Sequence, residues 1–178
     1  MKLINAITSA QLKNIEHLYM KEFPKEERKP FELMLDKAEG GIMEILAINS
    51  DDGEFCGLAI TITGKEWVLL DYLAIEPELQ GNNIGSAVLD LLNRRYEGKG
   101  IVIEIERTDV ECANLSQRVR RKQFYLKNGM KEMGIHVILF GVEMELLTNG
   151  KRINSDEYYK IYETIFGDKI ADKIRIVP

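Results

Sequence analysis

The stretch that most restricts how this chain can fold runs from Leu69 to Leu92, LLDYLAIEPELQGNNIGSAVLDLL. Leu69–Ile75 is apolar apart from Asp71 and Tyr72, the length and composition of a buried strand. Ile84, Ala87, Val88, Leu91 and Leu92 then recur at i, i+3, i+4, i+7 and i+8, the spacing that collects apolar side chains on one face of a helix. Between the two lies Gln80-Gly81-Asn82-Asn83-Ile84-Gly85. Glycine and asparagine tolerate positive φ, and glycine lets another group come close to the backbone. At a helix start the first N–H groups lack intrahelical acceptors and lie at the positive end of the dipole, so such a turn can hold a phosphate. An ordinary strand–loop–helix connection without a ligand fits the same residues. The turn is not the dinucleotide pattern G-x-G-x-x-G, and it lacks the Lys-Ser/Thr of a P-loop.

The rest of the chain supplies strands and helices to pack around this unit. Lys2–Ile7 suits a first strand. Ser9 is a suitable N-cap for a helix with its stripe at Leu12, Ile15, Leu18 and Tyr19. Pro24 ends that helix and Pro30 suits the first turn of another, apolar at Phe31, Leu33, Met34 and Leu35 and stopped by Gly40-Gly41. The charged knot Glu26–Lys29 between them reads as a solvated link. Ile42–Ile48 and Phe55–Thr63 form a hairpin through Asp52-Gly53. Trp67–Ile75 is more continuously apolar than that hairpin, which predicts a strand covered on both faces. Gly98-Lys99-Gly100 closes the loop's helix, and Ile101–Glu106 follows as a strand parallel to Trp67–Ile75. Lys131–Phe140 and Val142–Leu147 make a closing hairpin. Asn154 and Glu157 form a capping box before Tyr158, Ile161, Tyr162, Ile165 and Phe166, and Gly167-Asp168 ends that helix. Asp168–Pro178 is open to a last helical turn, an edge strand or a tail. Antiparallel strands followed by a strand–helix–strand unit predict an α/β (α+β mixed) sheet, mostly antiparallel with a central parallel pair and helices on both faces.

Side-chain chemistry narrows the function. A net charge of -5 argues against bulk binding to nucleic acid. No apolar run reaches the length of a membrane span, and MKLINAITSAQLKN lacks the apolar core of a signal peptide. Cys56 and Cys112 are far apart, and His17 and His136 are the two histidines; neither a disulfide framework nor a metal site is expected. A reducing cytoplasm is the simplest home. On Ile101–Glu106, alternation puts Glu104 and Glu106 on one face with Val102. Burying carboxylates is costly. Either the strand end is solvated, or arginines pair with the acids, or a carboxylate beside a cleft takes up a proton. Asn114 with Gln117 caps a helix that runs through Tyr125–Lys127 and ends at Gly129. Its Arg118, Arg120, Arg121 and Lys122 read as a solvated face or as a point that attracts phosphate.

Gln80-x-x-Asn83-x-Gly85, after a strand and before an amphipathic helix, resembles the acetyl-CoA pyrophosphate loop of the GNAT superfamily of N-acetyltransferases, Arg/Gln-x-x-Gly-x-Gly/Ala. Asn83 stands where that pattern has its first glycine. Arg121-Lys122-Gln123-Phe124-Tyr125-Leu126-Lys127-Asn128-Gly129-Met130 resembles the family's later motif, a helix carrying Phe-Tyr and ending in Asn-Gly before a strand. The resemblance covers residues 1–147; residues 148–178 are then a C-terminal helical extension packed on the same domain, open to covering the acceptor site, packing on the sheet or forming a homodimer contact.

The resemblance implies a GNAT-like fold in which the parallel strand pair splays to hold acetyl-CoA. Gln80 and the amides of Gly81, Asn82, Asn83, Ile84, Gly85 and Ser86 would meet the pyrophosphate. Leu73, Ala74 and Ile75 would pair with the pantetheine arm, and Asn114 and Tyr125 complete the cofactor-binding set. It implies transfer of acetyl to a primary amine of a small molecule or peptide by direct attack in a ternary complex, with no metal. Tyr125, which would otherwise read as core packing, matches the general acid. Glu104, then Glu106 and Asp71, are the candidate bases, and Glu26, Glu27 and Arg28 could touch the acceptor. A non-catalytic acyl-CoA-binding regulatory or interaction module on the same fold is the alternative.

Overall fold

The computed structural model describes residues 1–150, 153–167 and 174–177. The chain divides into two compact units, Met1–Thr63 with Leu70–Glu97 and Gly64–Leu69 with Gly98–Pro178.

The first unit contains β1 (Lys2–Asn5), α1 (Ser9–Glu22), α2 (Phe31–Glu39), β2 (Met43–Asn49), β3 (Phe55–Thr63), the later part of β4 (Trp67–Ile75) and α3 (Ile84–Arg95). Its strands lie in the order β1-β2-β3-β4. β1 and β3 flank β2 antiparallel, with Ile4 opposite Ala47 and Ile45 opposite Ile60. α1 is capped by Thr8, one residue before the Ser9 that the sequence suggests, because Gln11 three positions on completes a capping box with it. Of its stripe Ile15, Leu18 and Tyr19 are fully buried and Leu12 is half-buried, with α1 against β3 and α2 against β2. α3 reaches the other end of these strands, where Arg95 pairs with Glu44 and hydrogen-bonds Asn5.

One expectation is reversed. β3 is buried without a break from Cys56 to Ile62, whereas β4 alternates after Leu70, with Asp71, Leu73 and Ile75 half-buried. Both strands lie inside the sheet, but β3 also meets α1 and the α3-terminal Tyr96, whose hydroxyl is 2.7 Å from that of Thr61. At Gly57 the β4 backbone comes so close that a Cβ would stand 2.3 Å from the Ala74 carbonyl oxygen, closer than any side chain permits.

The second unit holds the start of β4, β5 (Gly100–Glu106), α4 (Leu115–Lys127), β6 (Lys131–Leu139), β7 (Val142–Thr148), α5 (Ser155–Phe166) and β8 (Ile174–Val177). The order is β4-β5-β7-β6-β8. The Gly100 N–H donates to the Glu66 carbonyl at 2.9 Å, so β4 and β5 start side by side and run parallel, as expected of a strand–helix–strand crossover. The other pairings are antiparallel. Phe140 and Gly141, both at positive φ (51° and 88°), make the two-residue turn from β6 to β7, the backbone that matches strand twist in a tight hairpin. The capping box of Asn154 and Glu157 forms as read, and Tyr158, Ile161, Tyr162 and Ile165 are buried. Of the roles open to the C-terminal residues, Ile174–Val177 take the edge strand, paired with β6. The rest of Asp168–Pro178 lies outside the described residues. Among the described residues no helix is long and apolar enough to cross a membrane.

Candidate functional site

In the first unit, β4 gives way to a 3-10 turn over Pro77–Leu79 and then to the loop. Two side chains brace the loop from within. Gln80 Nε2 donates back to the Ile75 carbonyl (3.0 Å) and Asn82 Nδ2 to the Leu79 carbonyl (3.2 Å). Gly81 (φ 83°) and Asn83 (φ 59°) are both left-handed. Asn83 is the N-cap of α3, but its side chain makes no capping bond. The first helical bond runs from the Ala87 N–H to the Asn83 carbonyl at 3.1 Å. Among the described residues the N–H groups of Gly81, Asn82, Asn83, Ile84, Gly85 and Ser86 find no acceptor. A Cβ at Gly81 would meet nothing within 4 Å. Unclaimed donors on residues that are exposed (Gly81–Asn83) or half-buried (Ile84–Ser86), at the positive end of a helix dipole, suit an anion.

Leu73 and Ile75 stand half-buried at the end of β4, with Ala74 between them. Asp71 is occupied differently. Both its oxygens accept from Lys29 Nζ, at 2.7 and 3.0 Å, and the two side chains are 3% and 8% exposed. Tyr72 donates its hydroxyl to the Glu27 carbonyl (2.7 Å) and accepts from the Lys29 N–H, while Tyr19 donates to the Lys29 carbonyl (3.0 Å). Burial pushes the Tyr19 hydroxyl pKa well above its ordinary value, and the neighbouring Tyr72 adds to the shift. The knot read as a solvated link is therefore only partly so. Lys25 and Glu26 are exposed, but Lys29 is buried because a carboxylate and two tyrosines are there to receive it.

In the second unit, Tyr125 sits in the last turn of α4, 7% exposed. Asn128 and Met130 donate their N–H groups to its carbonyl, and Gly129 turns the chain at φ 86°. The Asn-Gly pair thus fixes the tyrosine by ending its helix. Burial pushes its pKa up to about 12, with the Arg121 charge opposing. Its hydroxyl has no hydrogen-bond partner among the described residues and is not among the fully enclosed polar atoms.

The two β5 carboxylates have separate surroundings. Glu106 accepts from Arg118 (2.7 Å) and Arg121 (3.0 Å) on its two oxygens, with Asn114 Nδ2 at 3.5 Å. Arginines paired with the acid, one of the alternatives open from sequence, are what the strand end contains. Asn114 does not cap α4 with its side chain, contrary to the capping-box reading. That side chain accepts from Arg118 Nε at 2.9 Å and is drawn toward the ion pairs. Lys122 binds Glu145 at 2.7 Å and Glu132 at 3.3 Å, so the cluster read as a solvated basic face is largely consumed by internal acids. Glu104 instead receives the hydroxyls of Tyr158 and Tyr162, the latter 2.7 Å from both carboxylate oxygens.

Within the first unit the structure strings Leu73–Ile75 and Gln80–Ser86 along one strand end and loop, and sets Asp71 in the pair with Lys29. Within the second, Glu106 and Asn114 share one cluster on α4, the helix that carries Tyr125, and Glu104 joins α5. Sequence reasoning missed Lys29, Tyr72 and Gly57. It saw Tyr158 and Tyr162 only as an apolar stripe, since their i, i+4 spacing signals a buried face and not what the hydroxyls meet.

Residues 12–130 match the sequence profile of the acetyltransferase (GNAT) family. No curated protein sequence matches significantly. Among solved structures, a chain from Bacteroides thetaiotaomicron assigned to the GNAT family superposes with a TM-score of 0.77 at 22% identity, covering 94% of this chain and 99% of that one. An aminoglycoside 6′-N-acetyltransferase complexed with coenzyme A gives 0.65 at 16% identity, covering 86% and 100%. A spermidine N-acetyltransferase from Vibrio cholerae in complex with CoA and spermine gives 0.63 at 14%, covering 88% and 96%.

Proposed function

This chain belongs to the acetyltransferase (GNAT) family, and we propose that it transfers an acetyl group from acetyl-CoA to a primary amine of a small molecule or peptide, by direct attack. The observation that carries this reading is the run of six amide groups, Gly81 to Ser86, without acceptors among the described residues at the start of α3. Acetyl-CoA supplies an activated acyl group and, in its pyrophosphate, the anion that such a cradle suits. Gly81 to Ser86 hold the phosphates, and Gln80 braces the loop through Ile75. Leu73, Ala74 and Ile75 offer the pantetheine arm the end of β4.

Tyr125 stays protonated through neutral pH, because burial holds its pKa at about 12. A thiol titrates near ~8.5, so full proton transfer from this phenol to a thiolate is uphill. Its task is to donate a hydrogen bond to the departing sulfur. The amine must lose a proton to react. Asp71 is paired with Lys29, Glu106 with two arginines, and Glu104 accepts two tyrosine hydroxyls. Protonating any of the three would break a buried pair or hydrogen-bonded group, which is costly. We therefore assign them to holding the fold and let the amine's proton leave to water. The acceptor amines of the aminoglycoside and spermidine enzymes suggest the first compounds to screen.

Calorimetric titration with acetyl-CoA and then free coenzyme A tests the reading. Micromolar binding of both is expected, followed by thiol release with a panel of primary amines. No binding of either would overturn it.

A further inference from the structure

We propose that Glu106 and Arg121 are a positioning pair for Tyr125, in which the buried carboxylate holds the guanidinium one helical turn before the tyrosine, so that its charge steadies the phenol oxygen. The inference rests on the reading of Tyr125 as donor to the departing sulfur. In that step the amine nitrogen–carbon bond forms and the carbon–sulfur bond breaks. The electron pair goes to sulfur, the amine's proton goes to water, and the Tyr125 phenol shares its proton with the sulfur. Negative charge therefore grows on the phenol oxygen as the bond breaks.

The geometry is specific. Glu106 has a side chain 8% exposed, and its two oxygens are divided between Arg118 and Arg121, one turn apart on α4. Asn114 adds a donor to the first oxygen and takes a bond from Arg118. The next residue, Lys122, is gripped by Glu145, whose side chain is 7% exposed and which also accepts from Thr108. Two buried carboxylates thus hold three cations of one helix. α4 cannot turn or slide without stranding a buried charge, and a buried charge left unpaired is strongly unfavourable. Arg121 and Tyr125 are four residues apart, the separation at which helical side chains are neighbours. Arg121 is also the charge that lowers the Tyr125 pKa against the effect of burial. The same cluster could simply fasten α4 to its sheet, and the test separates the two roles.

The probe is thiol release from acetyl-CoA with hydroxylamine, which is largely unprotonated near neutral pH and so removes amine deprotonation from the comparison. Arg121→Gln, at a side chain 40% exposed, should fold, and thermal melts check this. We expect it to lower kcat about tenfold and to leave the KM for acetyl-CoA within about twofold. In a chain already carrying Tyr125→Phe, the same change should cost less than about twofold, since Arg121 acts through the hydroxyl. Arg121→Lys, which keeps the charge, should retain at least about half the rate. An equal loss in both backgrounds, or a loss with Arg121→Lys as deep as with Arg121→Gln, overturns the positioning role and leaves the Tyr125 reading intact. Wild-type turnover by Tyr125→Phe alone, or no release above the uncatalysed rate, overturns the Tyr125 reading and the inference with it.

Discussion

The loop from Gly81 to Ser86 and the cluster around β5 and α4 offer polar groups of different kinds. The loop uses backbone. Its N–H groups are available because a helix begins there, and its side chains serve to brace the turn or to stay out of the way. The β5–α4 cluster uses side chains, and nearly every one is already spoken for: Glu106 by two arginines, Glu145 by Lys122 and Thr108, Glu104 by two tyrosines. A backbone anion seat of the kind proposed needs no tuning partner, and Asn83 stands in the left-handed conformation (φ 59°) that asparagine can reach. A side-chain site depends on which partners arrive, and here they leave the Tyr125 hydroxyl uncommitted among the described residues. Carboxylates that look catalytic in sequence can thus be structural, while a tyrosine that looks like core packing retains the free donor.

The sharpest break in this contrast is Gly85→Glu, which brings a side chain and a negative charge to the seat. Acetyl-CoA affinity is expected to fall roughly a thousandfold, about 4 kcal/mol, with the melting temperature little changed. Calorimetry that finds unchanged affinity would sink the assignment of the loop.

Next in size is Tyr125→Phe. About a hundredfold loss in kcat is expected, ~2.7 kcal/mol, with acetyl-CoA affinity retained. Because the hydroxyl has no partner to lose among the described residues, stability should hold or rise slightly.

Tyr162→Phe removes a donor to a carboxylate and should cost about 2 kcal/mol of stability in urea titrations, with kcat kept within about twofold. The companion Glu104→Gln sharpens the point. A collapse of kcat without loss of stability would make Glu104 the base after all.

Alkaline unfolding compares a tyrosine from each unit. Tyr96 and Tyr125 are 6% and 7% exposed, and burial raises each from 10.0 to about 12. The folded pKa lies above the unfolded one, so the unfolded chain loses these protons first. Their contribution is complete below pH 10 and is lost as pH rises through 12, each at about 1.4 kcal/mol per pH unit. Replacing either tyrosine with phenylalanine should flatten the decline of the urea midpoint between those values. An unchanged slope would show that the hydroxyl is not held neutral by the fold.

Much of the architecture was legible because it is decided locally. The capping box of Asn154 and Glu157, the turn at Asn128-Gly129 and the strand–loop–helix at 69–92 depend on residues within a few positions of one another. Where local reading erred, a neighbour had shifted the outcome. Gln11 moved the cap from Ser9 to Thr8, and Arg118 drew the Asn114 side chain off its helix end. The relative enclosure of β3 and β4 departs from the sequence reading because apolar content says nothing about which strand's faces a helix will cover, and here α1 and Tyr96 reach β3.

Local residue pattern was enough to set a helix start at Ile84 with its first amide groups unclaimed, Tyr125 in the last turn before a glycine, and a mixed sheet. Those outcomes follow from backbone hydrogen bonding and φ preference, which act over a turn or two. Which donors the carboxylates meet is a matter of long-range packing. Lys29 reaches Asp71 across 42 residues, and Tyr158 and Tyr162 reach Glu104 across 54 and 58. A buried carboxylate is governed by the donors within about 3 Å of it, and packing brings those donors from parts of the chain that no local pattern connects.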